Sequence, residues 1–216
     1  MRFRWLQPMI RTVAVKDVFV VNCYACIDDS TLSGFLIDPG AEASRIMRII
    51  ERQGWNIERI LLTHGHFDHT GAVDELSQRL GVPYYIHREG ERYLKDTMLN
   101  LSAYCRRHVV LEDASYFEDG AQFALEANPH YRLQAIHTPG HTPDSVTFYC
   151  RNERYAVVGD TIFRGCPGTT QYAGGNPRQL YSSITGKILS LPNETRLFSG
   201  HSETTTVGDE RQLYLG

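Results

Sequence analysis

The stretch "ILLTHGHFDHTGA", Ile60 to Ala72, poses the question on which the fold turns. Three of the nine histidines and an aspartate (His64, His66, Asp68 and His69) fall within six positions, directly after an apolar run. Ordinary loop residues would leave several ionisable groups at one strand end with no common partner; a bound cation supplies one. The pattern recurs. "LQAIHTPGH", "YAVVGD" and "RLFSGH" each run from an apolar strand into a metal-capable side chain, namely His141, Asp160 and His201. Gly65, Gly140, Gly159 and Gly200 stand beside them, where a backbone must turn sharply or approach a ligand closely. If these strands lie side by side, their ends meet on one rim, the usual place for an active site in α/β proteins.

Five imidazoles and two carboxylates exceed the four ligands of one tetrahedral zinc. They fit two adjacent divalent ions when one carboxylate bridges. Imidazole suits zinc or iron, with manganese a further candidate, and no cysteine near these strand ends offers a thiolate. The remaining histidines read differently. His87, His108 and His130 are expected to be hydrogen-bonded loop residues, and His137, four positions before His141, a structural or outer partner. Cys23 and Cys26 form a C-x-x-C in "NCYACID", but no second ligand pair accompanies them and they lie in a β-rich stretch. They read as packing thiols.

The rest of the chain alternates strands and helices. "IRTVAVKDVFVVNCY" and "TLSGFLIDPG" are predicted strands, the latter closed by the turn Asp38-Pro39-Gly40. Ala43, Ile46, Ile49 and Ile50 recur at helical spacing up to Gly54, and Val73, Leu76 and Leu80 up to Gly81. Asn176-Pro177 predicts an N-cap with proline at the first helical position. Residues 88–112 are expected to be helical, though weakly amphipathic. The reading is an α/β fold in one domain over 1–216, with 88–112 as a possible lid.

Composition narrows the function. At 216 residues, 42% hydrophobic and 22% charged, the chain can bury a large core. A formal charge of -3 gives no basic stripe for nucleic acid. Neither the opening "MRFRWLQPMIRTV" nor any later run has the length and apolarity of a signal peptide or a membrane span. Five cysteines, an odd number without a secretion signal, point to reduced thiols and a cytoplasmic location. A monomer or homodimer acting on a small molecule is expected, with neither nucleic acid nor membrane as partner.

The ordered motifs H-x-H-x-D-H at 64–69, "HTPGHT" at 137–142, "GDTIF" at 159–163 and "GH" at 200–201 resemble the metallo-β-lactamase superfamily. The likeness is nearest to small hydrolases of the glyoxalase II (hydroxyacylglutathione hydrolase) type. It implies a four-layer αβ/βα sandwich. It also implies one metal on His64, His66, His141 and Asp160, and a second on Asp68, His69 and His201 with Asp160 bridging. Metallo-β-lactamases themselves usually carry cysteine or serine where Asp160 stands. Two departures bear on substrate: only 15 residues follow His201, too few for a glutathione-binding helical extension, and "RGCPGTTQYAGG" lacks the G-R-x-D element common in relatives.

The chemistry follows from the ligands. Water bound to such cations can fall to a pKa of roughly 7, giving hydroxide near neutral pH. Asp68 is expected to hydrogen-bond this nucleophile. A thiolate, with a pKa of about 8.5, leaves without a dedicated proton donor, so an acyl thioester is the expected substrate, with lactones and esters as alternatives. Tyr104, Arg164 and Tyr172 are the candidate substrate contacts. A mononuclear iron persulfide dioxygenase is the oxidative alternative, suggested by "FRGC" at 163–166.

Overall fold

The computed structural model describes residues 9–215; the segment 1–8, within the opening stretch weighed as a leader, lies outside them. The first sheet sets β1 (Met9–Lys16), β2 (Val20–Ile27), β3 (Ser33–Ile37), β4 (Asn56–Leu61), β5 (Tyr84–His87) and β6 (Ser115–Phe117) side by side in that order. The first three are antiparallel, and β3 to β6 run parallel. Parallel neighbours need crossovers. Those of this sheet are α1 (Ala43–Gln53) between β3 and β4, α2 (Phe67–Thr70) with α3 (Val73–Leu80) between β4 and β5, and the segment 88–114 between β5 and β6.

The second sheet takes β7 (Gln122–Ala124), β8 (Arg132–His137), β9 (Val146–Cys150) and β10 (Tyr155–Gly159) as an antiparallel run. A two-stranded ribbon of β11 (Ile162–Phe163) and β12 (Cys166–Pro167) interrupts the chain, which then returns to place β13 (Arg196–Ser199) parallel to β10 and β14 (Thr205–Thr206) at the edge.

Alternation along the strands builds the layers. Tyr24, Cys26, Phe35, Ile37 and Leu61 face Leu133, Ala135, Phe148, Val157 and Phe198 between the sheets. The opposite face of the first sheet, with Val21, Cys23, Ala25, Leu36 and Ile60, packs under Ile46, Ile50 and Leu76 of α1 and α3. The outer face of the second, with Ala156, Val158 and Leu197, meets Leu180, Ile184 and Ile188. Helix, sheet, sheet and helix stack in that order, the αβ/βα sandwich. Cys23 and Cys26 therefore point to opposite faces of β2, both buried and unpaired.

Asn176 caps the helix α5 (Pro177–Ser183), its side chain accepting from the amides of Arg178 and Gln179 at 3.1 Å each. Segment 88–112 departs from the helical expectation. Only α4 (Glu91–Lys95) is α-helical there, flanked by single turns at 88–90 and 103–105. The Asp96 carboxylate accepts from Met98 N at 2.8 Å and Leu99 N at 3.3 Å, a local turn that competes with the helix. Leu101 (φ 71) and Arg106 (φ 55) then take left-handed backbone that no helix accommodates. The last helix, α6 (Val207–Leu215), carries no apolar period visible in the sequence; its Glu210 accepts from Thr205 Oγ1 at 2.7 Å and Gly165 N at 3.1 Å. No helix among the described residues is long and apolar enough to cross a membrane.

Candidate metal centre

β8, β10 and β13 run in one direction, so their carboxyl ends share a rim, and the end of β4 in the first sheet meets them there. His64 follows β4; His66 precedes α2, and Asp68 and His69 lie within it. His141 follows β8, Asp160 follows β10, and His201 follows β13. The register of β10 against β13 shifts between Val157 and Gly159, and Gly159 takes φ 51, turning the chain so that Asp160 leaves the sheet. A side chain at Gly159 would meet Thr63 Oγ1 at 2.5 Å, so the close approach also requires glycine.

All seven side chains singled out in the sequence converge. Three overlapping groups, His64–His66–His141, His64–His69–Asp160 and Asp68–His69–His201, each bring their ligand atoms within 4.8 Å of one another. A tetrahedral ion with bonds of 2.0–2.1 Å holds its ligands about 3.4 Å apart. The separations match: 3.1 Å for His64 Nε2 to His66 Nδ1, 3.0 Å for His66 Nδ1 to His141 Nε2, and 3.4 Å for His69 Nε2 to His201 Nε2. Asp160 stands between the groups, with Oδ2 3.8 Å from His141 Nε2 and 3.4 Å from His201 Nε2, and Oδ1 3.5 Å from His69 Nε2. Asp68 Oδ2 is 3.2 Å from His201 Nε2. Asp160 Oδ1, 3.5 Å from His69 Nε2, is buried with no hydrogen-bond partner. Such groups are costly unless something absent from the protein satisfies them. The residues fit a pair of divalent cations.

Four of the five histidines have the outer nitrogen tied down, so that the inner one faces the centre. His141 Nδ1 donates to Thr169 O and His201 Nδ1 to Val20 O, both at 2.7 Å. A carbonyl only accepts, so Nδ1 of each ring carries a proton and Nε2 is the atom left to face a metal. Asp38 does the same for His69, accepting from Nδ1 at 2.9 Å. It also accepts from Thr63 N at 2.8 Å and Thr63 Oγ1 at 2.6 Å. With its proton committed to Asp38, the Thr63 hydroxyl accepts from His64 Nδ1 at 3.1 Å. Asp38 is thus part of the site although its sequence context reads as a turn.

The charges divide into two sets. Burial, reinforced by neighbouring imidazoles, pushes His64 well down and His66 down to about 3. Burial likewise lowers His141 against the pull of Asp160. Burial opposes a charge on His69 and His201 too, but the surrounding carboxylates outweigh it and raise them to about 9 and about 11. In return Asp68 and Asp160 are held below the usual carboxylate range, burial notwithstanding, by His69 and His201.

A cavity of about 250 Å³ opens over the cluster, walled by Phe19, Phe67, Leu101, Phe163 and Tyr172. Tyr172 lies edge-on to His66 with ring centroids 6.0 Å apart. Tyr104 lines an adjoining cavity instead, and Arg164 reaches neither, its guanidinium pairing with exposed Glu203. His137 stays outside the cluster: it stacks on His87 at 4.1 Å and bonds Pro143 O through Nε2 at 2.7 Å. Phe19 and Leu101 carried no chemical signal in the sequence.

Known proteins agree with this geometry. The chain is 37% identical over 209 residues to the probable metallo-hydrolase YqgX of Bacillus subtilis, covering 96% of this chain and 94% of that one. It is 32% identical to the hydroxyacylglutathione hydrolase GloC of Haemophilus influenzae, over 90% and 91% of the two chains. The crystal structure of the BLEG-1 B3 metallo-β-lactamase superposes with a TM-score of 0.89 at 31% identity, covering 96% of this chain and all of that one. TTHA1623 in a di-iron-bound form superposes with a TM-score of 0.83 at 30% identity, over 95% and 98%. The model of the metallo-β-lactamase superfamily matches residues 17–201. Its match runs from the end of β1 to the last clustered histidine, so the whole cluster falls inside it; the chain belongs to the metallo-β-lactamase superfamily.

Proposed function

We propose that the protein is a metal-dependent hydrolase that cleaves acyl thioesters at a binuclear site. One divalent cation is assigned to His64, His66, His141 and Asp160, the other to Asp68, His69, His201 and Asp160, with zinc as the first candidate and iron or manganese after it. The observation that carries this reading is the convergence of seven side chains at tetrahedral ligand spacing beneath a cavity. The resemblance to GloC and to a di-iron-bound neighbour supports it.

Two such cations, held by these residues, would supply a nucleophile at neutral pH by lowering the pKa of water toward about 7, and would polarise a carbonyl. The chain's own residues do the rest. Asp68, kept as a carboxylate, accepts a hydrogen bond from the attacking water or hydroxide and so aims it. Phe19, Phe67 and Phe163 limit the entry of bulk water. As the new C–O bond forms, the C–S bond breaks; the leaving thiolate departs unassisted because its pKa is about 8.5. We treat residues 1–216 as one domain in which 88–112 forms the lid, and Tyr172 as the residue that touches substrate.

The test is elemental analysis of protein purified without added metal, followed by a panel of thioesters, lactones and a cephalosporin, with oxygen uptake monitored alongside. The expected result is two metals per chain and thioester turnover, both lost in His66→Ala and Asp160→Ala. Full activity in metal-free protein ends the proposal. One iron per chain with persulfide-dependent oxygen consumption replaces it with a dioxygenase, and faster cleavage of lactone or cephalosporin moves the substrate class.

A further inference from the structure

A second cavity, of about 280 Å³, adjoins the one over the metal cluster. The two share Phe19, Leu101 and Tyr172 in their walls. Met98 and Tyr104 extend the apolar wall, Gln171 is its one amide, and no acidic or basic side chain lines it. Phe19, Met98, Tyr104 and Tyr172 are 48%, 50%, 69% and 48% exposed. Large apolar groups gathered at the mouth of a polar site are unfavourable in water and mark a surface meant to be covered.

Leu101 adds an independent observation. Its φ of 71 is a left-handed conformation that bulky residues rarely adopt. Glycine or asparagine would hold that backbone at less cost, yet a leucine faces both cavities. Strain kept at such a point is a sign that the side chain has a task there.

The other end of the cluster differs in character. Beside His201 lies a groove of about 580 Å³ whose walls include Thr12, Asn22, Ser202 and Glu203. The cluster thus has an apolar space beside Tyr172 and His66 and a polar groove beside His201. In thioesters of water-soluble thiols, the thiol part is rich in amides and charges, and the acyl part is where an apolar arm resides.

We infer that the protein selects thioesters with an apolar acyl arm of medium length, seated between Phe19, Leu101, Tyr104 and Tyr172, while the polar thiol arm lies along the His201 groove. This rests on the hydrolase reading. It also sets the protein apart from a hydrolase of small hydroxyacyl groups, which have no apolar arm for this space.

The experiment uses metal-loaded full-length protein and N-acetylcysteamine thioesters from acetyl to hexanoyl, with a parallel series that keeps hexanoyl and varies the thiol. Burying one methylene is worth about fourfold, so kcat/KM is expected to climb by up to that factor per carbon. Leu101→Asn suits the left-handed backbone and should lower the hexanoyl-to-acetyl ratio at least tenfold at unchanged metal content. Tyr104→Ser, at an exposed position, should lower it in the same direction. Calorimetry with the non-hydrolysable S-ethyl and S-hexyl thioethers of the same thiol reads the pocket without turnover; S-hexyl should bind more tightly, and Leu101→Asn should remove the difference. Turnover that is flat across the acyl series overturns the inference and leaves the hydrolase reading standing, as does selectivity that follows the thiol series instead. Absence of turnover with chain-length-dependent thioether binding overturns the hydrolase reading alone, and thioethers that bind equally overturn the apolar pocket.

Discussion

The carboxylate of Asp38 lies 2.9 Å from His69 Nδ1 and so fixes the ring nitrogen that His69 turns toward the metal centre. The same carboxylate holds Thr63, which in turn orients His64. One residue thereby sets the tautomers of histidines on both sides of the cluster.

Asp38→Ala is therefore expected to weaken metal binding by about 10–100-fold, the usual cost of losing such an outer partner. It also leaves the buried Thr63 amide unpaired, a destabilisation of about 1–3 kcal/mol. Competition with a calibrated chelator measures the first effect and thermal melting the second. Wild-type affinity in Asp38→Ala would show that His69 finds its orientation unaided.

Gly200 has no room for a side chain. A methyl group there would sit 2.2 Å from Asp160 Oδ1 and 2.6 Å from His69 Cε1. Gly200→Ala must push one of these groups aside, and misplacement by about an ångström at a reacting centre costs on the order of 100-fold. Metal content and turnover should both fall while far-ultraviolet circular dichroism stays that of the wild type. Full metal occupancy in this variant would contradict the placement of Asp160.

Metal uptake should release protons. In the metal-free protein His69 and His201 are raised to about 9 and about 11, so both are charged at pH 7.5. Ligands must be neutral imidazoles, so roughly two protons per chain should appear on loading. Calorimetry in buffers of different ionisation enthalpy counts them. The sign for stability follows: raised values stabilise the metal-free fold fully below about pH 6.5, and that gain is lost as pH rises through 9 to 11. The metal-free melting temperature should fall over that interval.

Asp144 is buried, and burial raises it to about 6 against the weak opposing pull of the Thr142 hydroxyl and the Gly65 amide, neither of which makes a well-formed hydrogen bond to it. Between about pH 4 and 6 the folded chain keeps a proton that the unfolded chain has lost, so stability falls as pH rises through this window. Asp144→Asn removes that penalty. It should be more stable at pH 8 by up to about 3 kcal/mol, and the advantage should shrink as pH approaches 4. Equal denaturant midpoints for the two proteins at pH 8 would show that the carboxylate is stabilised by another means.

The positions of the metal ligands were legible because packing alone rarely sets several histidines and aspartates directly after apolar strands. Asp38 obeys the same rule at the end of "GFLID", but Asp-Pro-Gly is also a strong turn signal, and the turn reading concealed it. Segment 88–112 was misread because its apolar residues are frequent without being periodic, and turn chemistry at Asp96 decides the backbone. Helix α6 lacked a legible face because its anchor is Glu210, a buried carboxylate held by Thr205 and Gly165, rather than an apolar stripe. Phe19 and Leu101 acquire meaning only from neighbours distant in the chain, which no local pattern encodes.

The rim that gathers the ligands draws them from both sheets: four follow β4 in the first, and three follow β8, β10 and β13 in the second. Cations held there act as rivets through the sandwich. Because an ion that binds only the folded chain adds RT ln(1 + [M]/Kd) to its stability, the resistance of this molecule to heat should track the free metal concentration of its surroundings.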